Sequence, residues 1–133
     1  MTKKEAVQIL AVLKAAYPAS YNGMTKEEAT GTVTVWAMQF QDMPADIVMM
    51  AIQKLIATNK FPPTVAEVND KLQSIHWEVY DFIAGRLPAT DAEKVQFQRI
   101  YDATHHHAHG MAYAPKVHEM LTFNQQQRIG PGE

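Results

Sequence analysis

Four histidines within five positions are the most conspicuous chemical feature of the sequence: His105, His106, His107 and His109. On a helix, His105 and His109 stand four apart on one face, a spacing that can chelate a metal ion. A catalytic site also needs a carboxylate or a water-activating partner, and Asp102, three residues before His105, is the nearest. The plainer reading is a solvated, histidine-rich helix end, favoured by the negative end of the helix dipole. On that reading no metal, cofactor or catalytic residue is assigned. Other reaction chemistries lack their groups. There are no cysteines, so disulfides and thiolate nucleophiles are excluded. Gly110-Met111-Ala112-Tyr113 has neither the second glycine nor the Lys-Ser/Thr of a phosphate-binding loop, so an ATPase of the P-loop kind is not expected. No Gly-x-Ser-x-Gly is present. The carboxylates Glu5, Glu28, Glu67 and Glu93 each follow a threonine by three residues. That spacing is better explained by helix capping than by acid–base catalysis.

The elements that must position these residues all read as helices. Thr2-Lys3-Lys4-Glu5, Thr25-Lys26-Glu27-Glu28, Thr64-Val65-Ala66-Glu67 and Thr90-Asp91-Ala92-Glu93 are capping boxes, each starting a helix. After the first, Ala6, Ile9, Leu10, Leu13 and Tyr17 follow at helical spacing until Pro18 stops the run. After the second, Ala29, Val33, Trp36 and Phe40 share one face, which places Trp36 in the core. A third helix opens at Pro44, which suits the first helical position. Its broad apolar face of Ile47, Val48, Ala51, Ile52, Leu55 and Ile56 marks it as central, with Met43, Met49 and Met50 filling gaps around it. Pro62-Pro63 then interrupts the chain. The fourth helix carries Val65, Val68, Leu72, Ile75, Val79 and Phe82 at alternating steps of three and four. Two readings stay open for it: a long helix lying on the first three, or one that projects beyond them to pair with another chain. Gly85 suits its C-terminal end. A fifth helix, from Asp91 to about Thr104, has a weaker stripe. Val117, Met120 and Leu121 suit a further short helix before a frayed terminus.

The expectation is therefore an all-α protein: a small bundle of three to four helices with a long fourth helix and a less ordered C-terminal extension. Residues 1–75 form a helical N-terminal domain. Residues 76–133 form a helical extension and a partly flexible tail. Hydrophobic residues make up 47% of the 133 positions, enough for a core and unlike a disordered chain. The formal net charge of −2 shows no basic stripe of the kind duplex DNA attracts, so no strong direct nucleic-acid binding is expected. Mild acidity favours a protein partner. No apolar run approaches a membrane span, and no signal core follows Met-Thr-Lys-Lys-Glu, so a cytoplasmic protein is expected.

The order and spacing of several pieces resemble a known family. They are Met-Thr-Lys-Lys-Glu at the start, Leu13 to Pro18, Met24 to Ala29, Trp36, and the run from Leu55 to Val68 through Phe61-Pro62-Pro63. Residues 1–75 are similar to the phage and prophage replicative helicase loader/inhibitor family. The resemblance implies a non-enzymatic DNA-replication accessory protein in a bacterial host. It would bind a hexameric, DnaB-type replicative helicase, hold it inactive and help load it. An origin-binding initiator or a single-strand-binding protein would be a further partner. It also implies that the C-terminal part engages the helicase, and the aromatics there are the candidate anchors: Trp77, Tyr80, Phe82, Tyr101 and Phe123. For Trp77, core and interface remain equal alternatives. The rival reading is a small DNA-binding protein using helices two and three as a helix-turn-helix, with Gln53, Lys54, Asn59 and Lys60 as readers.

Overall fold

All four Thr-x-x-Glu boxes close. In each, the threonine hydroxyl accepts the glutamate backbone N–H at 3.1 Å. The glutamate carboxylate in turn accepts the threonine N–H at 2.8 or 2.9 Å. Two of the orphan donors at each helix start are thereby satisfied. At the first box, the backbone hydrogen bond from Thr2 holds the Glu5 carboxyl below its ordinary value.

The computed structural model describes residues 1–105. Among them run α1 (Lys3–Ala16), α2 (Lys26–Gln39), α3 (Ala45–Ile56), α4 (Val65–Ile83) and α5 (Asp91–Ala103), with one 3-10 turn over Pro18–Tyr21. No strand occurs among the described residues, and the protein is all-α as its periodicity implies. The histidines beyond His105, the short helix expected around Val117 and the expected flexible tail lie outside the described residues.

α1 and α2 form an antiparallel hairpin. Its open end is tied by the Met1 ammonium, which donates to the carbonyls of Phe40, Gln41 and Met43 at 3.1, 3.2 and 2.8 Å. A cation at the carboxyl end of α2 also meets the negative pole of that helix. α3 is the central helix: Val48, Ala51 and Ile52 are wholly buried. Pro44 differs by one position from the sequence expectation. It is the N-cap of α3, with ψ at 137°, and Ala45 is the first helical residue. Trp36 lies in the core with its ring 5.7 Å from Phe40. Met43 is buried, and Met49 and Met50 pack against the same cluster.

The diproline joint between α3 and α4 is held from two sides. The Tyr17 hydroxyl donates to the Asn59 carbonyl at 2.9 Å, and the Asn59 amide donates to Glu67 at 3.3 Å. Beyond it, α4 lies on α3 along the stripe, with Val68 and Leu72 wholly buried and Ile75 and Val79 nearly so. α4 ends in a Schellman motif. The Arg86 N–H reaches the Asp81 carbonyl at 2.8 Å and the Gly85 N–H reaches Phe82 at 3.3 Å. Gly85 sits at φ 81°, where a side chain would be strained. The chain then reverses, and α5 packs back along α4.

Candidate partner-binding surface

α4 carries two stripes. The first faces α3. The second, starting from Leu72 in steps of four, contains His76 and Tyr80, and α5 covers it. His76 is wholly buried there. Its ring stacks on Tyr101 with centroids 4.0 Å apart, and Trp77 meets it edge-on at 4.8 Å. Its Nδ1 lies 3.0 Å from the Thr104 hydroxyl oxygen, also wholly buried. The geometry assigns the proton. A hydroxyl has one hydrogen, and that of Thr104 is directed to the Ile100 carbonyl at 2.7 Å. His76 Nδ1–H is therefore the donor into Thr104 Oγ1. Further along the seam Phe82 stacks on Phe97 at 4.5 Å.

The far edge of α5 is tied to a different helix. Arg99 makes a two-pronged ion pair with Asp46 in the first turn of α3, at 2.9 and 3.0 Å. The guanidinium hydrogen bonds hold the Asp46 carboxyl below its usual value and raise Arg99 in return. The bidentate geometry fixes orientation as well as charge.

These contacts sort the candidate aromatics. Phe82 and Tyr101 are half-buried and spend their faces on the α4–α5 seam. Tyr80 is half-buried at the seam's edge, its ring tilted against Tyr101 at 5.7 Å and overhung by the Arg86 guanidinium at 5.5 Å. Trp77 is 45% exposed. It is anchored at its inner edge by His76 and flanked by Tyr80 at 6.1 Å. Phe123 lies outside the described residues. The structure therefore brings four of the five named aromatics onto one ridge of α4 and α5, with Trp77 the most exposed of them. His76 and Thr104 are the residues that the sequence reading missed. The signal for them was the step-of-four series through Leu72, His76 and Tyr80, which runs beside the more regular stripe.

Elsewhere the described chain offers little chemistry. Among the described residues no group of three or more His, Cys, Asp or Glu is arranged to hold a metal ion. Asp102, the carboxylate nearest the histidines, accepts from the Gln98 amide at 2.9 Å. No helix among the described residues is long and apolar enough to cross a membrane.

One comparison decides the family. Residues 1–69 match the model of the N-terminal domain of the phage SPP1 helicase loader/inhibitor family. The chain belongs to this family. The pieces between Met1 and Val68 implied the same assignment. The matched loader/inhibitor domain spans α1, α2, α3, the joint and the first turn of α4. It stops before His76, so the aromatic ridge lies beyond the matched residues. No curated protein and no solved structure matches the chain.

Proposed function

We propose that this protein binds a DnaB-type hexameric replicative helicase, holds it inactive and helps deliver it during phage or prophage DNA replication. The observation that carries the reading is the loader/inhibitor domain match over just over half of the chain. It acts by stoichiometric binding in the cytoplasm of a bacterial host, without an active site of its own. An origin-bound initiator or a single-strand-binding protein is the second partner at delivery.

Residues 1–75 act as the platform, and residues 76–133 engage the helicase. The division falls inside α4, which runs unbroken from Val65 to Ile83, so the platform and the docking ridge share one rigid helix. Trp77 is the leading anchor, with Tyr80 and Arg86 beside it, and Phe123 adds to it from the tail. Phe82 and Tyr101 hold the ridge in shape. An exposed, edge-anchored tryptophan next to an arginine over a tyrosine is the composition of an interface hot spot.

The test is to mix the full chain with the host's purified DnaB-type helicase. Co-elution on size-exclusion chromatography, with slower unwinding of a forked DNA, is expected. A helicase that elutes alone and unwinds at its usual rate would remove the reading.

A further inference from the structure

A second surface lies on the other hairpin of the bundle. α1 and α2 leave a groove of about 620 Å³ between them. Val7, Leu10, Ala11, Ala29 and Val33 make its floor, and Lys3, Lys4, Lys14 and Lys26 stand along its rim. No residue of α3, α4 or α5 lines it, so it does not overlap the aromatic ridge. Val7 is 52% exposed, so the floor opens to the outside.

Three features define what would fit. First, the charge is one-sided. Residues 1–60 hold six Lys and Arg, and four of them rim this groove. No carboxylate lines it, and among the described residues none of the four lysines is in an ion pair. Second, the charges sit at the ends. α1 and α2 run antiparallel, so Lys3 and Lys4 mark one end while Lys14 and Lys26 mark the other. Eleven residues of helix separate Lys3 from Lys14, roughly 16 Å at 1.5 Å per residue. Third, the walls ask for little hydrogen bonding. The Thr34 hydroxyl is already committed to the Thr30 carbonyl at 2.9 Å.

We infer that the α1–α2 groove is a docking site for an acidic amphipathic helix of a partner protein, about three turns long, with apolar residues on one face and carboxylates at both ends. Apolar side chains would cover Val7 and Ala11, and the carboxylates would meet the lysine pairs. The chain's own tail does not supply this complement. Residues 106–133 carry Glu119 and Glu133 against Lys116 and Arg128, with no acidic excess. A phosphate backbone would use the lysines but gain nothing from the apolar floor. With the ridge on α4 and α5 separate from it, one chain can hold two partners at once.

The test uses the full chain, labelled with ¹⁵N, and a synthetic amphipathic helix of about 14 residues with leucines on one face and glutamates at both ends. Amide shifts should cluster on residues 3–14 and 26–34. Binding should weaken about tenfold in Val7→Asp and about tenfold in the Lys14→Glu, Lys26→Glu double variant. It should also weaken with added salt. All three altered positions are exposed, and unchanged shifts elsewhere show that the fold is kept. The inference is overturned if a lysine-ended peptide with the same leucines binds as well. It is equally overturned if the shifts fall outside the groove. A single-stranded oligonucleotide that binds in place of the peptide, through the lysines and without regard to Val7→Asp, would reassign the surface to nucleic acid.

Discussion

Thr104→Val tests whether α5 is bolted to α4 by a single buried hydrogen bond. Valine has nearly the volume and the branching of threonine, so packing in the pocket is preserved. The Ile100 carbonyl keeps its bond from the Thr104 backbone N–H at 3.0 Å. What disappears is the oxygen that accepts His76 Nδ1–H at 3.0 Å, between two side chains that are both wholly buried. Removing one partner from a buried polar pair costs about 1–2 kcal/mol. For a domain of this size that is a fall in Tm of about 4–8 °C. The loss should be local before it is global. Amides of α5 should exchange faster while those of α3 keep their protection. Trp77, edge-on to His76 at 4.8 Å, should change its emission as the ring relaxes. The His76 Nδ1–H resonance should be visible in wild type and in Thr104→Ser, which keeps the oxygen, and absent in Thr104→Val. A Thr104→Val protein that melts within about 1 °C of wild type with α5 equally protected would refute the lock and the tautomer it implies.

Trp77→Ala should weaken the helicase complex by about fifty- to a hundredfold. Roughly 110 Å² of the indole is available for burial, and 25 cal/mol per Å² gives about 2.5 kcal/mol. Isothermal titration reads this directly, and a change below about threefold would remove Trp77 as an anchor. Arg99→Ala should lower Tm at neutral pH and low salt and speed exchange in α5, with the difference shrinking as salt rises. The pH dependence has a definite sign. The Asp46 carboxyl is depressed in the folded protein by the Arg99 hydrogen bonds. Its contribution is therefore present above the ordinary aspartate value and is lost as pH falls through the lowered one. Melting curves of wild type and Arg99→Ala should converge on acidification and stay apart at neutral pH. Leu72→Ala, at a fully buried position on the α3–α4 seam, should cost about 3 kcal/mol by denaturant unfolding.

Local order was open to the sequence. Each capping box is an interaction between residues three apart, and neither partner needs the rest of the fold to find the other. The same holds for Pro18 and Pro62-Pro63, which stop helices by their own geometry, and for Gly85, which accepts a positive φ at no steric cost. The stripe from Val65 to Phe82 announced a buried face on α4 because a helix repeats its direction every 3.6 residues. The family, too, was legible in the ordered pieces up to Val68.

Which surfaces remain open was settled only by three-dimensional packing. Trp77 and His76 are neighbours in sequence, yet one is 45% exposed and the other 0%. Nothing within a helical turn distinguishes them; α5 folding back over one side of α4 does. The Arg99–Asp46 pair joins residues 53 apart, and the four lysines gather on one groove only because α1 and α2 run antiparallel. Periodicity reports that a helix has a face, because that information is repeated along the chain. It does not report what covers the face, because that depends on turn directions and on distant side chains meeting through space.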